Sequence, residues 1–234
     1  MPSRPDRVVL VCGTGTEVGK TWVAASLLKQ LRGRGVSVAA RKPAQSFDVD
    51  LEADHRGDRS DAQVLGEASG EDPDVVCLPA RSYHRAMAPP MAAEVLGLPP
   101  FTVGDLADEL RWPASSVAVG LVETAGGVCS PQASDGDAVD VGRLLRPEIV
   151  VLVADAGLGM INSVRLSARA LSGLAGAQSG TGGPARLVVA VNRFDEEHDL
   201  HRRNRQWLVD RDGLEVVTLP GGESHLADLV MKDH

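Results

Sequence analysis

Gly19-Lys20-Thr21 closes the stretch Gly13-Thr14-Gly15-Thr16-Glu17-Val18-Gly19-Lys20-Thr21, and those three residue types in that order are what a phosphate-binding loop requires. Glycine lets successive backbone amides crowd an anion, lysine carries charge to the β and γ phosphates, and the adjacent hydroxyl reaches Mg²⁺. The strict pattern G-x-x-x-x-G-K-[ST] would put its first glycine at Thr14, whereas the nearest one is Gly13, one residue early. Two other readings compete. A plain glycine turn accounts for the glycines and leaves Lys20-Thr21 unexplained. A dinucleotide fingerprint fits Gly13-x-Gly15-x-x-x-Gly19 loosely, with Arg41 placed to meet a 2′-phosphate. No acid stands at that strand end for a ribose, however, and Tyr83 is followed four residues on by Met87, where a tyrosine-based reductase would want lysine. The phosphate loop is the preferred reading.

Other residues of the right type stand at the ends of apolar runs. Glu123 closes the run Val117 to Val122 just before Gly126-Gly127, where an acid has no packing role. Asp61 follows Ser60 at a helix start; it is either a metal ligand or a first-turn acid favoured by the helix dipole. Lys42 ends the second strand and either serves an anion or is simply solvated. Asp155 ends the run Ile149 to Ala154 and rivals the other acids as a metal ligand. Asn192-Arg193-Phe194-Asp195 resembles a guanine-reading N-K-x-D motif with arginine for lysine. The preferred alternative is that Asp195 opens the acidic run to Asp199 and caps the following helix. His201 to Arg205 reads as a solvated helical face.

These positions need a scaffold, and the chain alternates strands with helices to provide one. Val8 to Cys12 is a wholly apolar, β-branched run suited to a strand covered on both faces. Lys20 to Leu31 puts Val23, Leu27, Leu28 and Leu31 on one helical stripe, ended by Gly33 and Gly35. Strands are expected at Val36 to Arg41, Val117 to Val122, Ile149 to Ala154, Leu187 to Val191 and Leu214 to Leu219. Ala44 to Ser60 is polar and reads as a loop, with Ser60 capping a helix from Asp61. Further helices are expected after Pro90 and from Asn162 to Leu174, and Gly176 to Pro184 reads as a flexible connector. The fold class is therefore α/β, a single-domain phosphate-loop nucleotidase-like architecture with a mostly parallel sheet and helices on both faces, spanning 1–234. In such sheets the ligand sits beyond the carboxyl ends of the strands, where every motif above lies.

Composition narrows the partners. A formal charge of −8 and 3% aromatic residues argue against nucleic acid, which needs basic faces and stacking rings. No run is long enough for a membrane span or a signal-peptide core. Cys12, Cys77 and Cys129 have no close pairing or metal-ligand spacing, which fits a reducing cytoplasm and small incidental thiols.

The lengthened loop, with five residues between Gly13 and Gly19, resembles that of dethiobiotin synthetases. The resemblance continues through Lys42-Pro43-Ala44-Gln45-Ser46, Ser60-Asp61-Ala62, Met87-Ala88-Pro89, Glu123-Thr124-Ala125-Gly126-Gly127 and Leu158-Gly159-Met160-Ile161-Asn162, in the family's order to about Asn192. It implies an ATP- and Mg²⁺-dependent cyclo-ligase that closes a ureido ring on 7,8-diaminopelargonic acid with CO₂, through a carbamate and a carbamic-phosphoric anhydride. Such chemistry asks the protein for positioning and charge, not for a nucleophile. The resemblance gives Lys20 and Lys42 to charge stabilisation, with Thr16 and Glu17 projecting toward the diamine. It gives Thr21, Asp61 and Glu123 to the metal. Nucleotide contacts fall to Gly15 through Trp22 (Gly15, Thr16, Glu17, Val18, Gly19, Lys20, Thr21, Trp22), with Asn192 at the adenine; beyond the resemblance, the late turn Leu219-Pro220-Gly221-Gly222 is a candidate for flanking the base through Pro220. Substrate contacts fall to Thr16, Lys42, Ser46, Gly126 and Gly127. Gly159, Ile161 and Asn162 reach the partner subunit's substrate tail, which implies a homodimer. Three positions depart from the family: Thr124 for its first glycine, Phe47 for a glycine after Ser46, and Pro90 for a frequent histidine. They are expected to narrow or reshape the substrate pocket, Thr124 by adding a side chain near the metal and phosphates. The alternative function is a nucleotide-binding homologue with a changed substrate or no ligase activity, a binding or regulatory module, with GTP as its candidate nucleotide. A partitioning nucleotidase would carry a further lysine early in the loop, which Thr14 and Gly15 do not supply. A cobyrinate-type synthase would need an attached glutaminase domain.

Overall fold

The computed structural model describes residues 4–48, 59–175 and 185–232. Its centre is a sheet of six parallel strands in the order β2-β5-β1-β6-β7-β8. These are β1 (Arg7–Gly13), β2 (Val38–Arg41), β5 (Val119–Glu123), β6 (Ile149–Asp155), β7 (Arg186–Asn192) and β8 (Glu215–Thr218). Two further short strands, β3 (Gln45–Ser46) and β4 (Ser82–Tyr83), pair with each other beside it. Gln45 and Ser46 fall in the segment expected to be loop; their pairing with Ser82 and Tyr83 is a long-range contact that no local pattern announces.

Alternation along β1 explains why its sequence is apolar throughout. Val9 and Val11 face one side and join Val23, Leu27, Leu28 and Leu31 of α1 (Lys20–Gly33), together with Leu65 of α2 (Asp61–Ser69) and Leu226 of α9 (Glu223–Met231). Val8, Leu10 and Cys12 face the other and join Val139 of α6 (Ala138–Leu145), Val164 and Leu171 of α7 (Met160–Ala175) and Leu208 of α8 (Asp199–Asp210). Both faces of the strand are thus dry, and its side chains alternate between two cores. A third cluster, around Tyr83, Phe101 and Leu106, lies under α4 (Pro89–Val95) and α5 (Val103–Glu109). The one-turn α3 (Pro73–Val76) and a 3₁₀ turn at Pro79–Arg81 complete the elements.

The expected elements form, with shifted bounds. Helix α1 runs through Gly33 and ends at Arg34, with Gly35 at φ 78° just beyond. Ser60 accepts from the Gln63 amide while Gln63 Oε1 accepts from the Ser60 amide, a reciprocal cap that fixes where α2 begins. The sequence reading did not anticipate α5, α6 or α9, although α5 and α6 open with similar caps, Thr102 with Asp105 and Asp137 with Asp140. The Gly176 to Pro184 connector, and most of the polar segment before Arg59, lie outside the described residues. Among the described residues no helix is long and apolar enough to cross a membrane.

Cys12 and Cys77 are buried and Cys129 is exposed. Burial pushes the Cys12 thiol up to about 12, a side-chain hydrogen bond with Thr124 opposing it only in part. Burial likewise pushes Cys77 up to about 12. Thiolate, the reactive form, is therefore scarce at both near neutrality. We expect a disulfide reagent at pH 8 to titrate one thiol in the folded protein and three after denaturation; labelling of Cys12 peptides in the native state would contradict the packing described.

Candidate active site

The chain leaves β1 at Gly13 and enters α1 at Lys20 through a loop with two left-handed residues, Glu17 at φ 60° and Gly19 at φ 90°. A side chain at Gly13 would lie 2.9 Å from the Gly15 carbonyl and from Lys20 Cδ, so the glycine that stands one residue early is required by the fold of the loop. At Gly19 a Cβ would come within 2.0 Å of Asn192 Nδ2 and the backbone is left-handed, which excludes any other residue twice over. The inserted residue is thus absorbed in the turn at Glu17, which leaves Thr16 and Glu17 exposed on the cavity wall. Helix α1 starts from Gly19 with no side-chain cap, so its first amides are left for an anion. Lys20 folds back over the loop, its Nζ donating to the Gly15 carbonyl at 2.9 Å. Burial, with repulsion from Lys42, holds its ammonium below the usual lysine range.

Three neighbouring elements bring charge to the same place. Lys42 follows β2, Glu123 ends β5 and Asp61 opens α2. Lys42 Nζ lies 2.6 Å from both Asp61 Oδ2 and Glu123 Oε1. The Thr21 hydroxyl stands 2.7 Å from Asp61 Oδ1 and 2.8 Å from Glu123 Oε1. A hydroxyl has one proton, so it can donate to only one of these carboxylates. Glu123 is 0% exposed and its Oε2 has no hydrogen-bond partner. Complete burial pushes its carboxyl above the ordinary range, against the pull of Lys42. For Lys42, burial disfavours the charge, but the two carboxylates outweigh it and hold the ammonium above its usual value. Asp61 is displaced the other way: burial raises it, and Lys42 and Thr21 together bring it below the ordinary range.

A hydroxyl and two carboxylates, one of which keeps an unpartnered buried oxygen, suit a hard cation that keeps several waters, as Mg²⁺ does. Among the described residues no group of three or more His, Cys, Asp or Glu side chains could hold a metal, so a soft, all-protein metal cage is not built here.

A cavity of about 910 Å³ opens in front of these groups. Of the residues singled out in the sequence, Thr16, Glu17, Gly19, Lys20, Thr21 and Lys42 line it, and so do Ser46, Asp61 and Gly126. Glu123 sits behind Lys42 rather than on the wall. Asn192 is buried behind the loop, its Nδ2 donating to the Val18 carbonyl at 3.1 Å. Gly15, Val18, Gly127, Trp22, Pro220, Gly159, Ile161 and Asn162 are not on the wall; the last three stand at or before the first turn of α7, beside Leu158, which is 92% exposed.

Several expectations need correction. Thr124 does not intrude on the cavity: its side chain is fully buried and its Oγ1 donates to the Val11 carbonyl at 3.3 Å, so it serves the sheet. Asp155 is not a rival metal ligand, because its carboxylate pairs with Arg193 at 2.6 Å and accepts from the Gly157 amide, apart from Thr21, Asp61 and Glu123. Asp195 does not cap α8; His198 holds that position, and Asp195 accepts from the Glu197 amide. Phe47 lines the cavity and meets the His84 ring edge-on at 4.9 Å, whereas Pro90 lies within α4 and does not line it. The solvated helical face holds at Arg202 and Arg203, which pair with Asp199, but Asn204 within it is buried and donates to Ala156 and Gly157. Sequence reasoning missed three participants. Ser130 lines the cavity and accepts from the Gly127 amide, Gln132 fastens both the amide and the carbonyl of Ala125, and Arg193 reaches the cavity wall from β7. Only Arg193 carried a signal, as part of Asn192-Arg193-Phe194-Asp195.

The parallel sheet, the glycine loop entering α1 and the acids at the neighbouring strand ends define a phosphate-loop nucleotide-binding protein. A family model described as an AAA domain matches residues 7–216. The chain is 33% identical over 223 residues to an ATP-dependent dethiobiotin synthetase of Rhodococcus jostii, covering 94% of this chain and 89% of that protein. It is 38% identical over 165 residues to one from Streptomyces avermitilis, covering 70% of this chain and 65% of that protein. A third, from Parafrankia sp., is 36% identical over 215 residues, covering 92% and 82%. Among solved structures, a plasmid partition protein from Borrelia burgdorferi shares the fold with a TM-score of 0.53 at 14% identity, covering 97% of this chain and 96% of that one. The chain belongs to the ATP-dependent dethiobiotin synthetase family.

The buried charges make a test. Lys42→Met strands Glu123 without its cation and should cost about 3–5 kcal/mol in urea unfolding. Combining it with Glu123→Gln removes the stranded charge, so the double variant should cost less than the two singles together. Strict additivity would show that the two groups do not interact.

Proposed function

We propose that the cavity at the carboxyl ends of β1, β2 and β5 is where this ATP-dependent ligase closes the ureido ring of dethiobiotin on 7,8-diaminopelargonic acid, with CO₂ as the carbon source. The observation that carries the reading is the inserted turn at Glu17, which puts Thr16 and Glu17 on the same wall as Lys20. The loop can then wrap phosphates with its amides while two side chains face a second reactant.

In this reading the diamine, held by Thr16, Glu17, Ser46 and the Gly126-Gly127 turn, takes up CO₂ on one amine as a carbamate. The carbamate oxygen attacks the γ-phosphorus, ADP leaves, and the second amine attacks the carbonyl carbon of the mixed anhydride, releasing phosphate and closing the ring. The protein's part is to align these groups and meet developing charge. Lys20 balances the charge that builds on the transferred phosphoryl. Lys42, kept protonated by its two carboxylates, gives a fixed cation for the carbamate or phosphate. Thr21, Asp61 and Glu123 would hold Mg²⁺, which supplies charge neutralisation of the phosphates when bound.

Base preference follows from Asn192. With its Nδ2 donated to Val18, its Oδ1 is left to accept, which favours the exocyclic amine of adenine over the keto group of guanine. Pro220 follows the buried Leu219 on the same side of the sheet and would flank the base. The exposed Leu158 and the start of α7 fit a homodimer in which Gly159, Ile161 and Asn162 reach the partner's substrate. Unpaired thiols fit a reducing cytoplasm, and the whole functions as one domain.

Purified protein given diaminopelargonate, bicarbonate, Mg²⁺ and ATP should yield dethiobiotin by mass, with GTP a markedly poorer donor. ATP binding without any product would leave only a nucleotide-binding module. Lys20→Ala should slow turnover by orders of magnitude, roughly 10²-fold or more, with little change in melting temperature; near-normal turnover would remove Lys20 from the chemistry.

A further inference from the structure

Two consecutive side chains at the end of β7 hold two consecutive carbonyls of the phosphate loop. Arg193 Nη2 donates to the Glu17 carbonyl at 2.8 Å, and Asn192 Nδ2 donates to the Val18 carbonyl at 3.1 Å. In a trans peptide the carbonyl of one residue and the amide of the next point in opposite directions. Holding the Glu17 and Val18 carbonyls toward β7 therefore turns the Val18 and Gly19 amides away from it. These are the amides of the inserted turn, and Gly19 lies on the cavity wall.

Arg193 is itself aimed. Its neighbours are tied on both sides, the Asn192 carbonyl accepting from the Ala156 amide and the Phe194 amide donating to Leu219. Between them Arg193 takes a left-handed φ of 54°, unusual for a side chain of its size, which turns the guanidinium back toward the loop. There its Nη1 pairs with Asp155 Oδ2 at 2.6 Å. The guanidinium thus bridges the end of β6 and the strained turn at Glu17, whose own φ is 60°. A side chain more than half exposed gains little from an ion pair alone, so geometry is what the bridge contributes.

We propose that Arg193 is a positioning residue for ATP: aimed by Asp155, it latches the inserted turn of the phosphate loop so that the Val18 amide stays directed at the phosphates. The proposal rests on the ligase reading only for the identity of the nucleotide.

The test compares full-length variants by calorimetry with a non-hydrolysable ATP analogue and Mg²⁺, by ligase kinetics, and by hydrogen exchange of the 14–19 segment in nucleotide-free protein. Arg193→Ala should weaken the analogue about five- to tenfold and raise the KM for ATP alike. Its kcat at saturating ATP should stay within about twofold, and the loop should exchange faster. Arg193→Lys keeps the charge but a single ammonium cannot span both partners, so it should bind as poorly as alanine. Asp155→Asn keeps the Oδ1 that accepts from Gly157 and turns an amide donor toward the guanidinium; it should weaken binding too, with Asp155→Asn/Arg193→Ala no worse than Arg193→Ala. Affinity within about twofold of wild type in Arg193→Ala, full rescue by lysine, or additive losses would each overturn the latch. If the wild-type chain bound no ATP analogue, the ligase reading would fail by itself; faster loop exchange in Arg193→Ala would still support the latch, and unchanged exchange would end it.

Discussion

Burying Glu123 is the constraint around which the rest of the site is arranged. A carboxylate at 0% exposure, at the end of a strand in a dry sheet, costs several kcal/mol unless its charge is met. The sequence meets it with Lys42 at the end of the adjacent β2, itself 2% exposed, and with Thr21 from the first turn of α1. Lys42 is balanced in turn by Asp61, which a reciprocal cap sets at the first position of α2. Four elements are therefore locked to one buried charge, and its Oε2 remains unpartnered. A packed apolar group would be at least as stable there. Retaining a charge at such a position is justified by chemistry, not by folding.

The second constraint is the close approach of β7 to the phosphate loop. Asn192 lies so near Gly19 that no side chain fits between them. The loop, one residue longer than the strict pattern, is consequently not free to relax outward. It spends the extra length on a left-handed turn at Glu17, a conformation that costs about 1–2 kcal/mol in a residue with a Cβ and persists only when neighbours hold it. What looked like a misplaced glycine at Gly13 is the start of that longer path.

How much of this was legible depended on range. Strands were readable because a sheet covered on both faces demands apolar, β-branched runs, and Val8 to Cys12 or Ile149 to Ala154 satisfy both cores at once. The residues of the loop and the acids at strand ends were readable because their types are wrong for packing and right for phosphate and metal. Side-chain direction was not readable. Thr124 follows a strand whose register turns it inward onto Val11, a fact set by neighbours more than a hundred residues away. Asp155 looked like Glu123 by position, yet it faces Arg193 where Glu123 faces Lys42, and only the packing of β6 against β7 decides this. Ser130 and Gln132 close the Gly126-Gly127 turn through contacts that leave no mark in periodicity or motif.

The charge inventory of the cavity then says where affinity for a triphosphate must come from. Lys20, Lys42 and Arg193 on its wall are matched by Glu17, Asp48 and Asp61, and Glu123 behind Lys42 adds a further carboxylate. The chain as a whole carries −8. Side-chain charge alone gives a polyanion no net attraction here, in contrast to sites that steer ligands with a field of one sign. Backbone amides at the uncapped start of α1 are not cancelled in this way, because their dipoles are fixed by the helix and have no opposing partner. A divalent cation arriving with the nucleotide would supply the remaining charge. Affinity must therefore be sensitive to the orientation of a few amides, and so to whatever holds the loop's carbonyls away from the phosphates.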